Sequence, residues 1–220
     1  MGGGQVALLF SGALIGKLVL DETGALYWTV GTRYGSSPSG TVHRMQDRAD
    51  TVLATGQTPV STAIAVDAVH VYFGSDNGAS GSIRRVPRKG GSVESVVDCG
   101  SHCSPSTLRL DQDNLYFRVL SYGSESGQVQ VMSKTDFKIR TIAGSGSATY
   151  QYAMDVEVNA GLVYWNWTGV SGPYGIFSAK ADGTGFRTIE GSDDAAWYAL
   201  RVDDAAIYYW HAAAIIRRLK

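Results

Sequence analysis

The chain has 220 residues with 44% hydrophobic and 18% charged side chains, which excludes an intrinsically disordered protein and allows a sizeable core. A formal net charge of −1 gives no general electrostatic reason to bind nucleic acid or an anionic membrane. No apolar run approaches the roughly 20 residues that span a bilayer, and 27 glycines with 12 tyrosines and 5 tryptophans indicate many short strands joined by tight turns.

The first predicted element is an apolar strand at residues 6–10. No basic residue precedes it, and it is short even for the hydrophobic region of a signal peptide. No targeting segment is therefore visible, which is compatible with a cytoplasmic protein or with the mature part of an exported one.

A pattern that recurs five times follows this strand. It consists of an apolar residue, Asp or Asn, a short polar turn, and an apolar residue followed by tyrosine. The tyrosines lie 45, 44, 48 and 44 residues apart, at Tyr27, Tyr72, Tyr116, Tyr164 and Tyr208. Because aspartate side chains bond nearby backbone amides in tight turns, we interpret the recurring aspartates as turn formers rather than site residues: Asp21, Asp67, Asp111 and Asp203.

Two further apolar elements follow each tyrosine, so that each repeat has four strands. A four-stranded antiparallel meander is the unit of a propeller blade, and stacked blades bury both faces of each sheet. The sequence predicts an all-β fold: one β-propeller domain over residues 1–220 with five four-stranded blades of about 44 residues. The predicted blades are approximately 13–56, 57–100, 101–144, 145–191, and 192–220 together with 1–12.

The two ends of the chain are expected to meet in the last blade. The fifth repeat stops at residues 217–220, where a turn and an outer strand would follow, and residues 1–12 resemble that turn and strand. The N-terminal strand would thus complete the last blade and cover exposed sheet edges. The alternative left open is that the chain is a fragment of a six- or seven-bladed ring.

The repeats resemble a known family. Residues 26–29 (LYWT) and 163–165 (VYW), with residues 178–184 (SAKADGT), look like the YWTD repeat of low-density-lipoprotein-receptor-type propellers and of bacterial secreted propellers of that style. The resemblance covers essentially the whole chain. It departs from the family because no repeat has the full Tyr-Trp-Thr-Asp and because the receptors' rings have six blades. The resemblance implies an extracellular protein-binding scaffold and transfers no catalytic residue.

The two cysteines, Cys99 and Cys103, lie between the second and third repeats. Their Cys-x3-Cys spacing, without a second pair, does not suit tetrahedral zinc, so we predict no metal site. A disulfide closing this short loop is the favoured interpretation and would suit an exported protein. Free thiols, and a metal or redox site with His102, are the alternatives.

Carboxylates suggest one catalytic alternative. Glycosidases need two carboxyl groups flanking a bond, and Asp155 and Glu157, at i and i+2 on a predicted inner strand, are the best pair that the sequence offers. A hydrated propeller channel also accommodates acids without any catalytic role. No nucleophile elbow or phosphate-binding loop accompanies them, so we expect a non-enzymatic protein and keep glycan processing as the alternative.

The remaining signal is aromatic. Loops on a rigid scaffold concentrate binding residues, and Tyr, Trp and Arg are typical anchors. In the long loops on one face of the ring, with the strand ends beside them, we predict the ligand-binding residues Arg33, Tyr34, Arg118, Tyr122, Trp167, Tyr174, Trp197 and Trp210. Part of these rings would instead cap the core.

These observations lead to one functional expectation: a binding propeller, extracellular or periplasmic, with a protein or glycan ligand. Neither a nucleic acid partner nor membrane insertion is expected. No cofactor is expected either, although a calcium ion in the central channel is left open.

Overall fold

The computed structural model describes residues 8–11, 14–31, 40–57, 60–76, 80–101, 103–121, 126–144, 151–169, 174–192, 197–211 and 214–220. Over these residues the protein is all-β, with 19 strands and no helix. No membrane-spanning helix occurs among them.

The strands form five antiparallel sheets in chain order. Sheet 1 contains β1 (Ile15–Leu20), β2 (Leu26–Val30), β3 (Gly40–Gln46) and β4 (Ala49–Gln57). Sheet 2 contains β5 (Val60–Val66), β6 (His70–Asp76), β7 (Ser80–Pro87) and β8 (Glu94–Ser101). Sheet 3 contains β9 (Cys103–Leu110), β10 (Asn114–Ser121), β11 (Ser126–Ser133) and β12 (Ile139–Gly144). Sheet 4 contains β13 (Gln151–Asn159), β14 (Leu162–Gly169), β15 (Tyr174–Lys180) and β16 (Arg187–Ser192), and sheet 5 contains β17 (Trp197–Val202), β18 (Ala206–His211) and β19 (Ala214–Leu219).

Sheets 1 to 4 are the predicted four-stranded antiparallel meanders, while sheet 5 has three strands in the described part of the chain. Residues 8–11 form no strand, and residues 1–7 lie outside the described residues. Closure of a five-bladed ring by an N-terminal strand therefore stays a prediction. Within this segment, Phe10 packs on Trp28 and His43 of sheet 1, with ring centroids 5.1 Å apart in each case.

The first strand of every sheet carries a β-bulge or irregularity against the second strand, at corresponding repeat positions. In β9 and β17 the residue at this point, Thr107 and Ala199, adopts a positive φ of 49° and 35°, which is uncommon for residues other than glycine. After the bulge the pairing returns to a shared register. Arg109, Glu157 and Arg201 each pair with the repeat tyrosine of their own sheet.

Each sheet buries the inner strand of the next one. Tyr72 and Ile83 of sheet 2, for example, share a cluster with Leu108 of sheet 3. The residue corresponding to Leu108 is fully buried at the other three junctions too, as Ile64, Val156 and Leu200. The core is thus a series of sheet-to-sheet interfaces, as expected for stacked blades.

The two outermost faces of this series are only partly covered in the described part of the chain. On the outer face of sheet 1, Trp28 and His43 are buried beside Phe10, while the inner strand is exposed. Leu18 pairs with Trp28 as Leu108 pairs with Phe117, yet Leu18 is 55% exposed. Ile215 of sheet 5 corresponds to four fully buried residues of the other sheets (Val42, Ile83, Val129 and Ile176) but is 86% exposed. We call the surface formed by the Leu18 face of sheet 1 and the Ile215 face of sheet 5 the seam.

The recurring aspartates form the tight turns between first and second strands, which confirms their prediction as turn formers. One carboxylate oxygen of each accepts two backbone N–H groups: for Asp67 from Val69 and His70, and for Asp203 from Ala205 and Ala206. Asp21 and Asp111 accept the corresponding pairs. Two of these aspartates also bind a basic residue of the following sheet, Asp21 to Arg88 and Asp67 to Lys134.

Candidate functional site

We call loop face the side of the molecule where second strands connect to third strands and where each sheet connects to the next. Most of these connections lie outside the described residues, including three predicted ligand-binding residues, Arg33, Tyr34 and Tyr122, and His102. The side chain of Trp197 also lies outside them. The described part of the loop face consists of the strand ends that border these connections.

Four predicted binding residues are described, and their environments differ. Trp167 is only 7% exposed and packs in the core between sheets 3 and 4, so it caps the core; its indole N–H has no acceptor among the described residues. Tyr174 is half-buried against the sheet 4 and sheet 5 core. The structure thus places Trp167 and Tyr174 on opposite faces of sheet 4. Arg118 is half-buried, and Trp210, near the loop-face end of β18, is 44% exposed.

Cys99, near the end of β8, is disulfide-bonded. The only other cysteine in the chain is Cys103 at the start of β9, whose side chain lies outside those described. A covalent link here would tie the last strand of sheet 2 to the first strand of sheet 3.

The candidate acids lie together on β13, and both are buried. Glu157 receives a two-pronged ion pair from Arg109, with Nε–Oε2 at 2.7 Å and Nη2–Oε1 at 2.6 Å. Arg201 Nη1 adds a third contact at 2.8 Å to Oε1. We call Lys17, Arg109, Asp155, Glu157 and Arg201 the channel cluster, because all five lie on the inner strands β1, β9, β13 and β17.

Both carboxylate oxygens of Asp155 also accept hydrogen bonds. Its Oδ2 accepts from Arg201 Nη1 at 2.8 Å and from the backbone N–H of Leu200 at 3.2 Å, and its Oδ1 accepts from the backbone N–H of Val156 at 3.1 Å. The buried Asn166 accepts the backbone N–H of Asp155 at 2.7 Å. Arg109 Nη2 lies 3.6 Å from Oδ1.

This arrangement favours charge pairing over acid–base chemistry. A carboxyl group that takes part in glycoside cleavage must reach the scissile bond or a water molecule, whereas the oxygens of Asp155 and Glu157 point at arginines and backbone amides. The sequence did contain a signal for the arginines. Arg109, Glu157 and Arg201 all stand two residues before the recurring turn residue, so aligning the repeats would have grouped them.

Lys17 is the one member of the channel cluster without a hydrogen bond or ion pair to any described residue. Burial lowers the pKa of its ammonium group, and the positive charge of Arg109 lowers it further, with Asp155 opposing in part. No group of three or more potential metal ligands occurs among the described residues.

A groove of about 560 Å³ lies between sheets 4 and 5, bordered by Tyr164, Lys180, Arg187, Arg218 and Lys220. Two of its cations are already partnered. Arg218 pairs with Glu190, and the Lys220 ammonium lies 5.3 Å from the centre of the Tyr164 ring. The groove therefore offers fewer free charges than its composition suggests.

Comparison with known proteins identifies the fold but not the family. No family model matches the sequence, and no curated protein matches it. The structure is similar to that of the nidogen/laminin complex, with a TM-score of 0.69 and 14% identity over 94% of this chain and 76% of that one. It is also similar to an oligogalacturonate lyase in complex with manganese (TM-score 0.60, 13% identity, 88% of this chain and 61% of that one). A third similar structure is the computationally designed Ika8 protein (TM-score 0.59, 15% identity, 90% of this chain and 55% of that one). These similarities support the β-propeller fold, and the YWTD assignment stays a resemblance.

Proposed function

We propose that this chain is a non-enzymatic, exported binding propeller that recognises a protein or carbohydrate through its loop face. The observation that carries the proposal is the state of the channel acids. Asp155 and Glu157 are engaged by Arg109 and Arg201, so the best catalytic pair in the chain lacks a free carboxyl group. Binding needs no such group, only an accessible surface with anchoring side chains.

The loop face offers such anchors. Trp210 is exposed beside it, and the loops themselves contain Arg33, Tyr34 and Tyr122. The buried indole N–H of Trp167 has no acceptor among the described residues, and a ligand at the loop face would supply one, because buried tryptophans usually have a hydrogen-bond partner. The similarity to a propeller crystallised as a nidogen/laminin complex makes a protein ligand the first choice.

The test of the loop face compares two exposed aromatic residues at opposite ends of the strands. Trp210→Ala should weaken binding about tenfold or more, since aromatic anchors dominate interface energies. Phe137→Ala is the matched control, because Phe137 is similarly exposed (40%) but lies in a turn on the other side. Binding to immobilised laminin and to an oligosaccharide panel that includes oligogalacturonate would be measured by surface plasmon resonance. Equal affinities of wild type and Trp210→Ala for a bound probe would count against the loop face.

A catalytic alternative is favoured by one observation, the similarity to an oligogalacturonate lyase. Under our proposal the wild-type protein releases no unsaturated product from oligogalacturonate, with or without manganese, in an ultraviolet absorbance assay. Product formation that disappears in Glu157→Gln, with Asp136→Asn as the control acid far from the channel, would instead establish the enzyme. Circular dichroism would verify that Glu157→Gln is folded, because the substitution leaves Arg109 without its full charge partner.

The ring has two candidate completions. In the first, residues 1–12 add the fourth strand to sheet 5. This completion is supported by Phe10, which packs on Trp28 much as Leu53 and Ala54 of sheet 1 pack on Phe73 of sheet 2. In the second, the chain is part of a larger ring, which is supported by the exposed seam and by coverage of 76% of the nidogen/laminin chain.

A further inference from the structure

We propose that the channel cluster binds a small carboxylate anion between Lys17 and Arg201. The inference is independent of the loop-face proposal, because it rests on inner-strand residues that the structure describes. Three cations, Lys17, Arg109 and Arg201, face two carboxylates in this cluster. The cluster alone therefore carries one uncompensated positive charge.

The free hydrogen-bond donors show where an anion would lie. Arg109 is fully engaged: Nε and Nη2 bind Glu157, and Nη1 donates to the carbonyl of Leu108 at 2.8 Å. Arg201 uses Nη1 alone, for Asp155, Glu157 and the carbonyl of Leu200. Its Nε and Nη2 have no acceptor among the described residues, and 57% of the side chain is exposed. The donors available to a ligand are thus one edge of the Arg201 guanidinium and the Lys17 ammonium.

A small side chain leaves room beside these donors. Ala199 of β17 stands at the repeat position of Lys17 and is exposed. Ala63 and Ala65 of β5, at the repeat positions of Asp155 and Glu157, are buried in the core between sheets 2 and 3. Exposure of Ala199 and Arg201 gives access from solvent.

The donor geometry selects the class of anion. The Nε and Nη2 groups of an arginine form a planar fork that matches the two oxygens of a carboxylate, and such bidentate pairs are among the strongest hydrogen bonds in proteins. The half-buried Lys17 ammonium adds a point charge, which Asp155 and Glu157 compensate only in part. A bound carboxylate would complete that compensation.

The experiment measures the thermal-unfolding midpoint of the full chain against increasing sodium acetate at constant ionic strength, with sodium chloride as the reference salt. Galacturonate and its neutral counterpart galactose are further probes, which separate recognition of the carboxylate from recognition of the sugar. A ligand that binds only the native state raises the midpoint, so acetate and galacturonate should raise it and galactose should not.

Two variants make the result specific. Lys17→Met should raise the midpoint without ligand, because it removes a half-buried ammonium group whose charged form is disfavoured by burial and by Arg109, and should weaken the acetate response about tenfold or more. Lys89→Met, which changes an exposed lysine in the turn after β7, should respond like wild type. Arg201→Lys keeps the charge but removes the fork, and should lose the response as well. The proposal is overturned if acetate acts no more strongly than chloride, or if Lys17→Met or Arg201→Lys retains the wild-type response.

Discussion

Asp21 combines two roles, as Asp67 does: it forms a turn and it pairs with a basic residue of the next sheet. Its Oδ1 accepts the backbone N–H groups of Thr23 and Ala25, while Oδ2 accepts from Tyr27 and from Arg88 of the next sheet. Burial alone would raise the pKa of this carboxyl, but the bonds from Thr23, Ala25 and Tyr27 outweigh it and lower the pKa from 3.8 to about 2. A residue that begins as a turn former thus also joins two sheets.

Asp21→Asn should lower the free energy of unfolding by about 1 to 3 kcal/mol, because asparagine keeps the turn bonds and loses the charged bond to Arg88. Asp203→Asn is the control, since Asp203 accepts the same turn bonds but has no ion pair among the described residues. Urea unfolding monitored by tryptophan fluorescence would give both values. Equal losses in the two variants would show that the link to Arg88 contributes nothing.

Asp21 also makes the stability of the fold depend on pH. Because the folded pKa of Asp21 is about 2 and the reference value is 3.8, the unfolded chain binds more protons between these values, and stability falls as the pH falls. The stability difference between wild type and Asp21→Asn should therefore be full above about pH 4 and shrink toward pH 2. Urea unfolding at pH 5 and at pH 2.5 would measure the difference in unfolding free energy between wild type and Asp21→Asn at each pH. An equal difference at the two pH values would contradict the lowered pKa of Asp21.

At the scale of the strands, one close backbone approach between β15 and β16 depends on a glycine. Gly175, the second residue of β15, lies opposite Gly191 with a φ of +145°, and a Cβ placed there would lie 2.0 Å from the carbonyl oxygen of Glu190. Any side chain at this position must push β16 away, because the obstacle is backbone.

Gly175→Ala should lower the free energy of unfolding by about 3 kcal/mol or more, since it adds a backbone clash to an unfavourable φ. Gly183→Ala is the matched control, because Gly183 has a φ of +84° but open space around it, and should cost about 1 to 2 kcal/mol. Chemical denaturation would compare them. Similar losses of unfolding free energy in the two variants would mean that β16 can move away from β15 without destabilising the fold.

Strand order was predictable from the sequence, and strand register was not. The tyrosine and aspartate positions repeat closely enough to locate the first two strands of each sheet, from Leu26 to Tyr208. The bulges were missed, because an extra residue changes which side chains face which partner without changing the composition. The pairing of Arg109 with Glu157 was missed for a different reason, because it joins two sheets and only an alignment of the repeats places both residues at the same position.

At the scale of the whole molecule, the seam is the feature that distinguishes an open from a closed ring. Burial at the position of Leu18 is complete in the four other sheets. Composition and spacing could not reveal that Leu18 is exposed. A leucine at this position fits the repeat pattern equally well in an open ring and in a closed one. The loop face was predicted from the same repeats, but of its binding residues only Trp210 is both described and substantially exposed.

Leu18→Ala should cost about 1 kcal/mol or less in unfolding free energy if the seam is open, because little burial is lost. Leu108→Ala, at the corresponding buried position, should cost about 2 to 5 kcal/mol. Thermal and urea unfolding would give both values. A cost at Leu18 that matches the cost at Leu108 would mean that the Leu18 face is covered in solution, by sheet 5 or by a further sheet.

The open seam also bears on how the native state opens. Among the described strands, sheets 1 and 5 each pack against one neighbouring sheet, whereas sheets 2, 3 and 4 pack against two. This part of the molecule therefore resembles a short linear array whose end units are held by a single interface. Local opening should start at the ends, and earliest in sheet 5, where β19 is mostly exposed. Amide hydrogens of β18 and β19 would then exchange with solvent sooner than those of β6 and β10. Covering the seam would remove this gradient, so that all five sheets exchange as one cooperative unit.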